Sequence, residues 1–410
     1  MQDQDSPTQT IRTGCVISGG GPAGMVCGFL LARAGIDVVV LEKHKDFLRD
    51  FRGDTIHPST LELLYELGLL ERFLKLPHIK VHHLSIEIGD EKFTIGDFDR
   101  ISTRCKFMVQ IPQWDFLDFL SREAKAFPNF KLLMETKATD FLMENGQIAG
   151  VTAHGPQGAL TIHAGLTIAA DGRHSALRAK SGLPLKDIGA PFDVLWLRLP
   201  VAPGDPTDIV GRVQAGYFFV MIYRGDYWQC ALLIPKGSFD AIKSEGIEKF
   251  REKLRQVASF ARDRAGTITD FDQVKLLSVS INRLKKWARP GFVCIGDSAH
   301  AMSPVGGVGI NLAIQDAAAA ANILGPVLKK GAPALCDLEK IQRRRERPTK
   351  FVQWIQIQMQ EQIITPALRR KTTPKPPLAL KLLNRYPFLR RLPAQLLGVG
   401  QLEHVAAKKP

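Results

Sequence analysis

Six residues, Gly19-Gly20-Gly21-Pro22-Ala23-Gly24, constrain this chain more than any other stretch. They separate a short apolar run (residues 15–18) from a helical one (residues 22–34) that Gly35 ends. Val38-Val39-Val40-Leu41 follows as a continuous apolar run, the pattern of a strand buried on both faces. Strand, tight turn, helix and strand make a βαβ unit, which commits the chain to a parallel sheet covered by helices. The spacing G-x-G-x-x-G has a reason at each glycine. The first makes the turn, the second lets a pyrophosphate approach the backbone, and the third lets helix and strand pack closely. Glu42 closes the second strand about twenty residues on, where a carboxylate takes ribose hydroxyls, and Lys43 lies beside it. A dinucleotide site is therefore expected from Gly19, Gly21, Pro22, Ala23, Gly24, Glu42 and Lys43. At this point a nicotinamide and a flavin dinucleotide are both open.

The same glycines answer a second question. Residues 15–32 are eighteen in a row without a charge, long enough to suggest a signal or membrane segment. Gly19, Gly20, Gly21, Gly24, Gly28 and Pro22 suit a strand-to-helix turn far better than a lipid-facing helix. No other long apolar run exists, so a soluble, cytoplasmic protein is expected. The six cysteines are scattered, with the closest pair, Cys15 and Cys27, twelve apart. Neither a disulfide framework nor a metal site follows from that spacing. The net charge of +14 sits at one end: residues 341–410 hold fifteen Lys/Arg against three Glu.

Further along, residues 61–76 and 114–127 have helical apolar spacing with Pro77 and Pro128 as stops. Residues 166–170 read as a strand running into Asp171-Gly172. Between 192 and 235 the pattern turns β-rich, with turn signals at Pro203-Gly204-Asp205-Pro206 and Gly225-Asp226. Residues 246–265 return to helix. The segment "IGDSAHAMSPVGGVGIN" (residues 295–311) then leaves an apolar strand, turns on Gly296-Asp297, passes Pro304, and reaches Gly306, Gly307 and Gly309 before a long helix (residues 310–329). Glycines there let the backbone approach a ligand closely. The helix N-terminus behind them favours negative charge, either a phosphate or a carbonyl that becomes an oxyanion.

Taken together, the first hexamer, "AADGRHSALR" (residues 169–178) and the 295–311 segment resemble, in this order and spacing, the three fingerprints of the single-component flavoprotein aromatic hydroxylases, the para-hydroxybenzoate hydroxylase family. The resemblance covers residues 14–330. It implies an α/β fold: a Rossmann-type FAD-binding domain with an inserted β-sheet substrate domain and a helical C-terminal segment. The expected division is residues 1–77, 106–190 and 275–340 for FAD, 78–105 and 191–274 for substrate, and a basic C-terminal segment at 341–410. By resemblance, Asp297 holds a ribityl hydroxyl, and Asp171 and Gly172 touch the FAD pyrophosphate region and a transient NADPH or NADH. Arg52 and Gln113 stand where the family places flavin contacts. Pro304 lies beside the flavin ring, with Arg52 and Pro304 as the catalytic positions. Gly296 and Gly307 belong to the same loop, and the amides around Gly309, Ile310 and Asn311 face the ring's pyrimidine carbonyl. Val308 departs from the family's frequent glutamine, at little cost if the contact is through backbone. The implied reaction consumes NAD(P)H and O2 and hydroxylates an aromatic or electron-rich apolar small molecule through a flavin hydroperoxide. His300 is expected to be structural, and Arg173 and Arg178 are candidate contacts to the nicotinamide cofactor's phosphates.

The substrate pocket should be walled by one face of the β-rich region. Tyr217, Phe219, Met221 and Tyr223 alternate with Phe218, Val220 and Ile222, and Trp228 is on the next strand. The pattern does not choose between the faces. The tail, "LLNRYPFLRRLPAQLLGVG" (residues 382–400), sets arginines beside apolar residues. Docking on the body is preferred to a membrane-surface role because prolines interrupt every helix. Since all fingerprint residues precede 330, the tail is expected to leave cofactor binding untouched. Nucleic-acid binding has no recognised module behind it. Two other functions share the cofactor architecture: an FAD-dependent reductase of prenyl or polyketide double bonds, and a non-catalytic FAD-binding accessory at a membrane surface. A halogenase is disfavoured by the lack of Trp-x-Trp-x-Ile-Pro.

Overall fold

The computed structural model describes residues 9–48, 55–205, 209–369 and 373–405. Two sheets dominate. The first is built on five parallel strands in the order Phe292–Cys294, Gly158–Ala169, Gln9–Ser18, Val38–Leu41 and Phe130–Leu133. The all-apolar strand Val38–Leu41 is buried at every position, as a strand covered on both faces must be. Helices Pro22–Arg33, Gln113–Ala124 and Val308–Leu328 cover this sheet and share its hydrophobic core.

Parallel pairing aligns the strand ends. Ser18 lies opposite both Leu41 and Ala169, and Cys294 opposite Ala169. The residues that follow, Gly19, Glu42, Asp171 and Gly296-Asp297, are therefore gathered at one edge, the carboxyl ends of the strands, where open α/β sheets bind ligands.

The second sheet has seven strands in the order Lys275–Leu277, Phe192–Pro200, Tyr227–Pro235, Tyr217–Tyr223, Val210–Gln214, His83–Ile88 and Glu91–Asp97. Its pairing is antiparallel except between Val210–Gln214 and His83–Ile88. Helix Ile247–Val257 packs one face, with Phe250, Leu254 and Val257 turned inward.

Two helical expectations change, and one expected divide shifts. Residues 246–265 are the α-helix Ile247–Val257 followed by a separate 3-10 segment, Ser259–Thr267. Residues 61–76 are two helices, Pro58–Glu66 and Leu70–Phe73, because the chain turns at Gly68 with φ 71°. Helix Leu335–Met359 runs unbroken through Pro348 and across position 340, so the divide expected there falls inside one helix. Beyond it come two eight-residue helices, Leu378–Arg385 and Arg391–Gly398, laid along the edge strand Glu91–Asp97.

Candidate active site

A single cavity of about 730 Å³ runs from the carboxyl edge of the parallel sheet to the face of the seven-stranded sheet. Of the expected site residues, Gly19, Gly21, Pro22, Ala23, Glu42, Lys43, Gln113, Asp171, Gly172, Asp297, Pro304, Gly307, Gly309 and Ile310 line it. Arg52 lies outside the described residues. Gly24, Gly296 and Asn311 are beside the cavity rather than on its wall, each for a packing reason.

The glycines of the hexamer do different things. A Cβ at Gly24 would come within 1.9 Å of the Gly19 carbonyl oxygen, and one at Gly19 within 2.4 Å of the Ala170 oxygen. Both are required by the turn itself. At Gly21 a Cβ would meet no protein atom within 4 Å, because that side opens into the cavity. Gly21 caps helix Pro22–Arg33 without a side-chain hydrogen bond, and no acidic residue stands in the first turn. The helix thus presents its unbonded N–H groups and positive end to open space, a cradle that fits a pyrophosphate. Glu42, buried, accepts hydrogen bonds from the Gly20 N–H (3.0 Å) and the His44 N–H (3.0 Å), which fix its carboxylate at the cavity edge.

Asp171 carries a second mark of a ligand. Its Oδ2 accepts from the Ala176 N–H at 3.1 Å, while Oδ1 is buried with no hydrogen-bond partner in the chain. Burial raises its carboxyl above the usual range, against several opposing hydrogen bonds. Asp171 is also one of the residues that line the cavity, so its carboxyl stands at the edge of the ligand space. Asp297 lines the same cavity, 3.7 Å from the Arg173 guanidinium. Arg178 is spent on structure, donating to the backbone oxygens of Arg173, Asp297 and Ser298.

At the far end, Gly306 and Gly307 take φ of 80° and 62°, turning the chain into helix Val308–Leu328, whose start has neither side-chain cap nor acidic residue. By position, the amides this helix leaves unbonded belong to Val308, Gly309 and Ile310, and Asn311 is one residue too far along. The Asn311 side chain acts as a lock instead. It accepts from the His57 N–H (2.8 Å) and Thr60 Oγ1 (2.9 Å) and donates to the Thr55 oxygen (2.9 Å). Gly296 is a contact point: a Cβ there would come within 3.1 Å of both Ala23 and Ala313, and its N–H donates to Asp316 Oδ2 (3.1 Å).

Sequence reasoning missed three features. Asp316, fully buried, holds the loop bearing Asp297 through Gly296 and through His300 Nε2 (2.5 Å), and pairs with Arg345 Nε at 2.9 Å. Burial pushes its carboxyl up, but His300 and Arg345 outweigh this and hold it below the usual range. Arg345 passes the link to buried Glu403 at 3.2 Å. His300 is thereby structural, as expected. The second feature is how far the tail reaches: docking on the body is expected of it, but not a place in the cavity wall. Pro393, Leu396 and Leu397 line the cavity, and His57 Nδ1 donates to the Leu397 oxygen at 2.7 Å. The third is the choice of face. Phe192, Val194, Phe218, Val220 and Leu233 wall the cavity, whereas Phe219, Met221 and Trp228 pack in the core on the helix side. These contacts join residues up to 340 apart in sequence, and no local pattern announces them.

Comparison with known proteins agrees with this geometry. A family model described as "FAD binding domain" matches residues 12–354. Over 388 residues the chain is 31% identical to 6-methylpretetramide 4-monooxygenase of Streptomyces rimosus, covering 94% of this chain and 92% of that one. It is 25% identical to para-nitrophenol 4-monooxygenase of a Pseudomonas species, covering 81% and 83%. Among solved structures, PqsL of Pseudomonas aeruginosa in complex with 2-aminobenzoylacetate shares the fold, with a TM-score of 0.73 at 20% identity over 88% of this chain and 98% of that one. With its family match spanning most of its length and a monooxygenase relative aligned nearly end to end, the chain belongs to the FAD binding domain family and is an FAD-dependent monooxygenase.

Proposed function

We propose that the protein hydroxylates an aromatic or electron-rich apolar small molecule, consuming NAD(P)H and O2. The observation that carries this reading is the continuity of the cavity: a glycine-lined, amide-rich end opens without a break onto an apolar sheet face. Bound FAD supplies the redox chemistry, accepting hydride from NAD(P)H and activating dioxygen.

The chain's own residues supply position, dryness and charge. The backbone at Gly19 and Gly21, with the helix beginning at Pro22-Ala23, cradles the pyrophosphate. Glu42, with Lys43 beside it, takes the ribose, while Asp171, Gly172 and Gln113 line the path between. Asp297 accepts a ribityl hydroxyl. Pro304 and Gly307 set the ring's position. The amides of Gly309 and Ile310 stabilise negative charge on its pyrimidine side, in a helix N-terminal field equivalent to about half a charge. Arg52 keeps the flavin-side role that the family resemblance gives it. Phe192, Val194, Phe218, Val220 and Leu233 exclude water from the substrate. In this reading residues 78–105 and 191–274 are the substrate unit.

Oxygen uptake measured alongside NADPH and NADH oxidation tests the proposal, with a substrate panel that includes para-nitrophenol and 6-methylpretetramide. Substrate-stimulated uptake with a hydroxylated product supports it. Nicotinamide oxidation with a reduced product and no oxygen demand would indicate a reductase instead. Absence of any nicotinamide oxidation would indicate a non-catalytic flavoprotein.

A further inference from the structure

The C-terminal segment has two faces. Its inner face packs on the seven-stranded sheet's edge: Leu380 and Ala394 are buried, and Asn384 Nδ2 donates to the Lys92 oxygen at 2.9 Å. Its far end reaches the cavity wall through Leu396 and Leu397. The outer face is apolar and uncovered. Leu378, Phe388 and Leu392 are 71%, 64% and 65% exposed, and Leu382 and Tyr386 are also exposed. Leu378 and Leu382 lie one helical turn apart and share a side, Tyr386 caps the helix's C-terminus, and the Tyr386 ring meets Phe388 edge-on at 6.2 Å. Exposed Lys381, Arg385 and Arg391 lie among them. From residue 362 to 402 the sequence holds eight Lys/Arg and no Asp or Glu.

We propose that this outer face rests on an anionic lipid bilayer, with Leu378, Phe388 and Leu392 in the interfacial layer and the cations among the headgroups. Charge decides among the occupants. A second copy of the chain on a two-fold axis would set the patch against itself and bring like charges together. A nucleic acid would match the charge but leave Leu378, Phe388 and Leu392 without a partner. An anionic bilayer matches both the cations and the apolar side chains. The segment would lie on the surface, and no helix among the described residues is long and apolar enough to cross a membrane. The tail is thus docked on the body, and that docking is what presents the face. This inference does not depend on the oxidative chemistry.

The test uses the full-length flavin-loaded protein, sedimented with vesicles of phosphatidylcholine alone or of equimolar phosphatidylcholine and phosphatidylserine. Binding to the anionic vesicles alone, released by high salt, is expected. Arg385→Gln with Arg391→Gln should weaken it about thirtyfold, roughly fivefold per charge. Phe388→Ser with Leu392→Ser should abolish detectable binding, and all variants should keep their flavin because these side chains are exposed. Absent anionic binding in the wild type overturns the proposal, whatever the variants do. So does binding that high salt leaves unchanged, or an apolar variant that binds as wild type. A change in oligomeric state or in nucleic-acid retention, in place of vesicle binding, overturns it in favour of those partners.

Discussion

The two ends of the cavity are built on opposite plans. At the parallel sheet the wall is mostly backbone: glycines, helix N-termini and a few carboxylates standing at strand ends. At the seven-stranded sheet it is side chain: one face of a pleated surface, apolar and replaceable residue by residue. A backbone wall depends on glycines that cannot change without either moving the chain, as at Gly19 and Gly24, or filling the ligand's space, as at Gly21. A side-chain wall can be retailored while the other face of the same strands holds the fold. One end can therefore stay fixed for a constant cofactor while the other adapts to a substrate.

The sharpest test of that contrast is within the hexamer. Gly24→Ala should prevent formation of the turn, since the new methyl meets the Gly19 oxygen at 1.9 Å, and soluble protein should be lost. Gly21→Ala fills only cavity space. Its melting temperature without flavin should match wild type while flavin affinity falls by about tenfold, or 1.4 kcal/mol. Equal thermal loss in both variants would break the distinction between packing glycines and ligand glycines.

On the other sheet the pair is Phe219 and Val220, neighbours on opposite faces. Phe219→Ala should cost about 3–5 kcal/mol in denaturant unfolding, because the ring is fully buried against the helix side. Val220→Ala should cost about 1 kcal/mol or less and act mainly on substrate KM and product profile. A reversed ranking would mean the cavity face has been assigned to the wrong side.

Asp316 joins the fixed end to the tail. Asp316→Ala leaves Arg345 buried without this partner and should cost about 3–5 kcal/mol, with flavin lost more readily because Gly296 and His300 lose their anchor. The carboxyl's depressed folded pKa implies stability that is present above the unfolded value of about 3.9 and lost as pH falls further. Acid unfolding of the wild type should thus steepen there, and that steepening should be missing in the variant.

His57 gives the smallest and most specific effect. Burial lowers its pKa from 6.5 to about 4, against the opposing hydrogen bond to Leu397. The unfolded chain binds the proton first, so stability should fall as pH drops from 6.5 toward 4, by about 1.4 kcal/mol per pH unit at most. Above that window the imidazole is neutral in both states and contributes no slope. His57→Gln should flatten this part of the stability profile, as followed by urea unfolding at stepped pH.

The amino-acid sequence by itself determined the fixed end of the molecule. Gly19 to Gly24 and Glu42 are legible because they stand at the turns of a βαβ unit, while the roles of Asp171 and Asp297 came through the family resemblance; parallel pairing then brings all of these strand ends to one edge. Backbone constraints of that kind are local, and local patterns survive in a one-dimensional reading. Only the tertiary structure decided the rest. Phe218 and Phe219 alternate identically in the sequence, and what covers each face of the sheet, helix Ile247–Val257 or the cavity, is settled by elements far away. Asn311 reaches back to His57 across 254 residues, and His57 in turn to Leu397 across 340. Those partners are fixed by packing in space, which is why a tail whose sequence suggested only charge and interruption became part of the cavity wall.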